Sequence, residues 1–94
     1  MSVLLCVPTG EVVRTPIALA PPLARLRGAR IGYLDNAKPN ADVFLARIVK
    51  HLVTEQGAEA GPHARKDYAG YAAPADVLDE LAASCDAVLV GTAD

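Results

Sequence analysis

Four polar residues lie close together after a short apolar run and could bind a small ligand. They are Asp35, Asn36, Lys38 and Asn40, within residues 28–40. Their carboxylate, amides and ammonium can hydrogen-bond a carboxylate or another polar group, and Lys38 precedes a predicted helix, whose N-terminus favours anions. An ordinary interpretation stays open, in which Asn36 and Asn40 are turn and cap residues and Lys38 is solvated.

The apolar run before this loop predicts a strand. Residues 29–35 are short, largely apolar and bounded by Gly28 and Asn36, which is typical of a strand covered on both faces in a parallel sheet. Pro39 disfavours a helical conformation at Lys38, so the loop continues past that residue. Ligands of open α/β sheets bind at the carboxyl ends of the strands. The sequence therefore predicts a binding loop here.

A helix is predicted after the loop, from Asn40 to about Gln56. Val43, Ile48 and Leu52 recur at helical spacing. The side-chain oxygen of Asn40 is expected to accept an unpaired N–H group at the helix start.

A second helix and a second strand are predicted towards the end of the sequence. Pro74 suits the first position of a helix, and residues 77–82 carry an apolar face. Residues 87–91, Ala-Val-Leu-Val-Gly, predict a buried strand. Thr92 then opens the next loop.

The segment between these two units is predicted to be mostly loop. Residues 57–73 contain several glycines and a proline, and a short edge strand near Glu59 or Arg65 is the alternative. His63 and Lys66 lie close together in this segment. Histidine in a polar loop is more often solvated than catalytic, so we expect His63 to be a solvated loop residue.

The first 27 residues predict a β-hairpin followed by a proline-rich arm. Apolar runs at residues 3–7 and 12–13 are separated by a Pro-Thr-Gly turn. Three prolines within residues 15–24 disfavour a helix or a central strand, so this arm is expected to pack on another surface. Cys6 is expected to be a small buried apolar residue.

Composition excludes several classes of protein. Ninety-four residues make one domain at most, and a net charge of −2 gives no footprint for nucleic acid. The sequence has no long apolar run for a membrane span and no convincing signal peptide. Two cysteines in this composition indicate reduced thiols and predict a cytoplasmic location.

No metal or cofactor is predicted within this chain. Cys6, Cys85, His51 and His63 lack the spacing of a metal site. The sequence also lacks a Gly-x-Gly-x-x-Gly or Walker-type phosphate loop, so nucleotide binding has no motif behind it.

Together the elements predict an α/β fold, a Rossmann-like three-layer half-fold with a small, mostly parallel sheet. A parallel sheet needs helices on both faces, and no helix follows residues 87–91 in this sequence. We therefore expect one incomplete domain over residues 1–94, with a hairpin and arm at 1–27 and a strand-helix-strand core at 28–94. A partner chain or a missing C-terminal part is expected to complete it.

Two stretches carry a family resemblance. They are Ile-Gly-Tyr-Leu-Asp-Asn-Ala-Lys-Pro-Asn-Ala at residues 31–41 and Cys-Asp-Ala-Val-Leu-Val-Gly-Thr-Ala-Asp at residues 85–94. In this combination the chain resembles the UGSC-like family over roughly residues 26–94. That family is named for a selenocysteine-or-cysteine, Gly, Ser, Cys motif, which would be expected directly after Asp94.

The resemblance implies oxidoreductase chemistry by a thiol or selenol outside this chain, because neither Cys6 nor Cys85 matches the motif position. It also implies a likeness to the selenol subunits of amino-acid reductases, some of which arise from a proprotein cut just before a cysteine. A Cys-x-x-Cys at a helix N-terminus has a lowered thiol pKa and can resolve a mixed disulfide. Thr92 and Asp94 would frame that thiol, with Asp94 as the catalytic carboxylate that accepts its proton.

Two functions follow as hypotheses. The first is the N-terminal part of a thiol-dependent oxidoreductase or sulfur-transfer enzyme in a hetero-oligomer, whose second polypeptide carries the C-terminal half or the Cys motif. Its small polar substrate would contact Asp35, Asn36, Lys38, Asn40 and Thr92. The second is a non-catalytic α/β subunit that stabilises or binds a partner protein. A stand-alone flavodoxin-like domain is least favoured, because the sheet is small and lacks a phosphate loop.

Overall fold

The computed structural model describes residues 2–10 and 16–92. This part of the chain forms three strands and two helices, which confirms the predicted α/β class. The elements are β1 (Arg30–Asp35), α1 (Ala41–Gln56), β2 (Glu59–Arg65), α2 (Ala75–Ser84) and β3 (Ala87–Gly91). The expected bounds of β1 and α1 agree to within one residue, α2 begins one residue after the expected start at Pro74, and the bounds of β3 coincide.

β1 is the central strand of a parallel sheet with the order β2–β1–β3. Ile31 and Leu34 are both buried and point to opposite faces, so β1 is covered on both sides, as its apolar run predicts. Asp35 is in register with Arg65 of β2 and with Gly91 of β3. The carboxyl ends of the three strands therefore meet at one edge of the sheet.

α1 packs on one face of the sheet through residues spaced four apart. Ala41, Leu45 and Val49 are buried, and Val49 belongs to the same apolar cluster as Ile31. Burial of a side chain such as Leu45 contributes about 1.5–3 kcal/mol. Val43, which the helical pattern placed on the apolar face, is half exposed, because the buried face is centred on Leu45.

α2 covers the opposite face. The connections β1–α1–β2 and β2–α2–β3 run in opposite directions across the sheet, and right-handed crossovers then place their helices on opposite faces. Leu81 is the buried residue of α2. Pro74 occupies the cap position just before the helix instead of its first position.

Cys85 follows α2 and packs directly on the backbone of two strands. A β-carbon on Gly32 would lie 2.5 Å from the Cys85 sulfur and would clash with the carbonyl oxygen of Pro62. One on Gly61 would lie 3.1 Å from the same sulfur. Both glycines therefore permit a close approach that a side chain would prevent.

β2 confirms the alternative of an edge strand within residues 57–73, because a strand occupies Glu59–Arg65, and residues 66–73 remain loop as expected. Its pairing with β1 shifts by one residue at Gly61 and Pro62, which forms a bulge. Proline lacks an N–H group and is confined to edge strands and bulges, and β2 offers both. The residues that suggested a loop are thus accommodated within a strand.

The N-terminal arm has neither a helix nor a strand in its described parts, residues 2–10 and 16–29. Leu4 and Cys6 are exposed, so the prediction that Cys6 is buried is wrong, because no described element packs over this run. The second predicted strand of the hairpin, at residues 12–13, lies outside the described residues.

Candidate functional site

Asp35 ends β1 and is held in place by two contacts. It is 3% exposed. Its Oδ1 accepts the N–H of Ala37 at 2.8 Å, and its Oδ2 lies 3.7 Å from Arg65 Nε. No buried side-chain nitrogen or oxygen in the described ranges lacks a hydrogen-bond partner. The carboxylate of Asp35 therefore shapes the loop and orients a cation from β2.

Asn36 joins the loops that follow β1 and β3. Its N–H donates to the carbonyl of Gly91 at 3.0 Å, and its Nδ2 donates to the carbonyl of Thr92 at 2.6 Å. Its Oδ1 accepts the N–H of Lys38 at 3.3 Å. The structure thus brings together Asn36, Lys38 and Thr92, which the sequence singled out and which lie in the loops after two adjacent strands.

Two residues of the loop have a left-handed backbone, Ala37 with φ 67° and Asn40 with φ 64°. The Asn40 side chain makes no capping hydrogen bond, so its expected role is wrong, because side-chain capping needs an extended backbone at that residue. Its carbonyl accepts the N–H of Phe44 at 3.0 Å instead. A left-handed residue other than glycine costs roughly 1–2 kcal/mol, and such strain is common in functional loops.

Lys38 and Asn40 differ in their exposure. Lys38 is half-buried, whereas Asn40 is exposed. The carbonyl of Lys38 accepts the N–H of Ala41 at 3.1 Å, which fixes the backbone just before α1. Both residues stand at the same edge of the sheet as Asp35, as expected for a loop after a parallel strand.

Thr92 is half-buried and follows β3 directly. Its carbonyl receives the Asn36 amide, which places it at the predicted site. Asp94, the expected catalytic carboxylate, lies outside the described residues. Its position beside a thiol stays a prediction.

His63 is exposed, as expected, but it belongs to a strand instead of a loop. It lies on β2 in register with Tyr33, and the two rings stack with centroids 4.7 Å apart and planes 8° apart. A cavity of about 240 Å³ lies beside these rings, and Asp35 and Arg65 also line it. Recognition of β2 as a strand in register with β1 would have revealed this cluster.

The reactive groups within the described residues are few. Cys85 lies before β3, at the end of the sheet away from the loops, so it is not placed to act at this edge. No three potential metal ligands gather within residues 2–10 and 16–92. Over the same ranges, neither helix combines the length and apolar character needed to cross a membrane.

An apolar groove runs along the outer side of β3. It has a volume of about 480 Å³ and is lined mainly by Phe44, Leu45, Ile48, Leu89 and Val90. Phe44 is 56% exposed and Val90 is 67% exposed. In the described part of the sheet β3 is an edge strand, so this groove lies next to unpaired backbone.

Comparison with known proteins adds the family. No curated protein and no solved structure matches the chain. The family model of the UGSC family matches residues 4–94. The match spans nearly the whole sequence and includes the loop after β1 and the strand β3, so the chain belongs to the UGSC family.

Proposed function

We propose that this chain is the N-terminal part of a thiol-dependent oxidoreductase or sulfur-transfer enzyme that acts on a small polar substrate. The bridge from Asn36 to Gly91 and Thr92 is the observation that carries the proposal. With the strand order β2–β1–β3, a Rossmann-like sheet binds its ligand outside the carboxyl ends of β1 and β3. The bridge lies at this point.

The loop residues have separate roles in this proposal. Lys38 and Asn40 bind a carboxylate or another polar group of the substrate, and Asn36 positions the loop while presenting its amide. Asp35 supports the turn through the N–H of Ala37. The positive end of the α1 dipole adds to the attraction for an anionic group.

The reactive cysteine comes from the segment after Asp94 or from a partner chain. Its thiolate attacks an electrophilic sulfur of the substrate and expels the reduced leaving group, with Asp94 accepting the thiol proton. A second cysteine of a Cys-x-x-Cys motif then resolves the mixed disulfide. The dithiol thus loses two electrons, and an external dithiol reduces the new disulfide. A selenol in the first position would follow the same course, which is how the likeness to amino-acid reductase subunits enters.

In the described part of the chain, the edge of the sheet at β3 is unpaired, which supports completion by further polypeptide. The groove beside β3 exposes Phe44 and Val90, and apolar side chains rimming a free strand edge are typical of contact surfaces. We infer a hetero-oligomer in the cytoplasm whose second polypeptide carries the C-terminal half or the Cys motif.

The same groove favours a second candidate function. A non-catalytic subunit would use the edge of β3 to stabilise a partner protein, and the polar loop would then serve stability alone. Under that function, substitutions in the loop change stability and leave the chemistry of any partner thiol unchanged.

Thiol reactivity separates the two functions without a known substrate. The rate at which iodoacetamide alkylates the motif cysteine is measured against pH in the purified assembly. Lys38→Ala removes a positive charge near that thiol and is expected to raise its pKa and slow alkylation at neutral pH several-fold. Lys50→Ala, at an exposed position of α1, is the matched control. Identical pH profiles for both variants, with the assembly intact, would contradict the enzyme proposal and favour the binding subunit.

A further inference from the structure

We propose that two adjoining cavities between α1 and β2 bind a small monocarboxylate with an aliphatic chain. The carboxylate lies at Arg65, and the chain lies against the side of α1 that borders β2. This inference goes beyond the thiol chemistry and does not rest on it. Apart from Asp35, the residues that line the two cavities do not belong to the proposed substrate loop.

The first cavity offers hydrogen-bond donors at the carboxyl end of β2. It has a volume of about 240 Å³, and Tyr33, His63 and Arg65 line it. A phenol, an imidazole and a guanidinium can each donate to an anion. Three donors from two neighbouring strands suit the several lone pairs of one carboxylate.

Arg65 is available for a planar anion. Its side chain is 67% exposed, and its ionic contact is a single approach of Nε to Asp35 Oδ2 at 3.7 Å. That contact uses the side of the guanidinium and leaves the two terminal nitrogens for the parallel hydrogen bonds that a carboxylate accepts. The buried carboxylate of Asp35 thus acts as a support that orients Arg65.

Asp42 limits the charge that the cavity accepts. It stands in the first turn of α1 and lines the same cavity. With Asp35 paired to Arg65, a phosphate or a dicarboxylate would place a second negative charge near Asp42. A ligand with one negative charge avoids that repulsion.

The second cavity provides the place for an aliphatic chain. It has a volume of about 340 Å³, within the range of small-molecule sites. Ala46, Val49, Val53 and Ala60 give it apolar walls, and Lys50 also lines it. Each methylene moved there from water adds to the affinity.

The stacked rings connect the two cavities. Tyr33 and His63 line both of them and stack with centroids 4.7 Å apart. A ligand that passes along their edges reaches the donors of the first cavity and the apolar walls of the second. The arrangement therefore fits one molecule with a charged head and an apolar chain.

Amide chemical shifts of the ¹⁵N-labelled chain, with any polypeptide that co-purifies, test this site. Hexanoate is the probe, and hexylamine and hexan-1-ol are the comparators with the same chain. We expect hexanoate to shift the amides of Tyr33, His63 and Ala46 with a dissociation constant on the order of 1 mM. Hexylamine is expected to bind at least tenfold more weakly, because Arg65 and Lys50 repel its ammonium group and Asp35 is already paired to Arg65.

Two variants separate the head from the chain. Arg65→Gln is expected to weaken hexanoate binding about tenfold and to leave hexanol binding unchanged, since a charge-assisted bond is lost. Arg47→Gln, on α1 and outside both cavities, is the matched control. Ala46→Leu fills the apolar cavity and is expected to weaken both hexanoate and hexanol, without changing alkylation of a partner thiol.

Three results would overturn the proposal. They are equal binding of hexylamine and hexanoate, equal effects of Arg65→Gln and Arg47→Gln, and no saturable shift up to about 20 mM hexanoate. Unchanged amide shifts of Ile31 and Leu34 in each variant show that the sheet is intact. If Lys38→Ala does not slow alkylation of the motif cysteine while hexanoate still binds, the result counts against the proposed function alone.

Discussion

The two sides of β1 meet the carboxyl edge of the sheet in different ways. On the β3 side, Asn36 binds the backbone of Gly91 and Thr92. On the β2 side, side chains meet side chains, in the stack of Tyr33 on His63 and the approach of Arg65 to Asp35. Backbone contacts of this kind depend on few side chains, whereas the β2 cluster depends on each of its members.

The contacts of Asn36 with the loop after β3 form a frame that holds the edge of the sheet. The side chains of Tyr33, His63, Asp35 and Arg65 form a recognition surface. Hydrogen bonds to the backbone hold the loop after β1 against β3 in one position. The ring stack and the long ion pair have neighbouring cavities and can adjust to a ligand. We therefore expect changes to the Asn36 contacts to alter stability, and changes to the side chains of Tyr33, His63 and Arg65 to alter binding.

The largest loss of stability is expected from Gly32→Ala, which disrupts the close packing between β1 and β2. The new β-carbon would lie 2.5 Å from the Cys85 sulfur and would clash with the carbonyl of Pro62. Overpacking of this kind costs typically 1–3 kcal/mol and sometimes more, and here a backbone group must move. Urea unfolding monitored by circular dichroism measures the loss.

Gly10→Ala is the control, because a β-carbon there meets nothing within 4 Å, and its effect should stay within about 0.5 kcal/mol. Adding Cys85→Ala to Gly32→Ala removes the sulfur contact but not the carbonyl contact, so we expect incomplete recovery. Full recovery of stability would show that the backbone of Pro62 does not restrict Gly32.

An intermediate loss of stability is expected from Asn36→Ala, which removes the side-chain contact between the loops after β1 and β3. It removes the donor to the Thr92 carbonyl and the acceptor of the Lys38 N–H. A typical hydrogen bond contributes about 0.5–1.5 kcal/mol, so we expect a loss of roughly 1–2 kcal/mol in the free energy of unfolding. Hydrogen exchange at the Lys38 amide should accelerate.

Asn36→Asp sharpens this test, because it retains the acceptor and loses the donor. Its exchange at Lys38 should stay near the wild-type rate while the contact to Thr92 is lost. If both variants leave stability and exchange unchanged, Asn36 does not hold the two loops together.

The smallest effect is expected from the ion pair of the β2 side. A double-mutant cycle of Asp35→Asn and Arg65→Gln isolates their coupling. At 3.7 Å, with Arg65 67% exposed, the coupling should be about 0.2–1 kcal/mol and should fall as salt is added. A coupling well above this range would make the pair part of the frame instead of the recognition surface.

Much of the fold was predictable because four of the five elements have strong local signals. β1 and β3 are short apolar runs, and α1 and α2 have apolar residues at helical spacing. β2 was expected only as an alternative because Gly61 and Pro62 interrupt it, and only the partner strand reveals that a bulge accommodates them. Strand pairing is a long-range property that local sequence does not display.

The position of some candidate residues in the fold was also predictable. Asn36 and Thr92 were identified because polar residues after parallel strands share an edge, and the structure places them in contact. The cap at Asn40 was wrong because its left-handed backbone is set by the loop as a whole. His63 was correctly expected to be exposed, but its stack on Tyr33 was missed because β2 was considered only as an alternative.

Intact mass spectrometry of the native protein, under native and denaturing conditions, tests whether a reactive cysteine motif accompanies this chain. We predict a Cys-Gly-Ser-Cys segment, either continuous with Asp94 or at the start of a second polypeptide that stays bound under native conditions. A single species of 9.8 kDa with no such segment would contradict the thiol enzyme and leave the chain as a binding subunit.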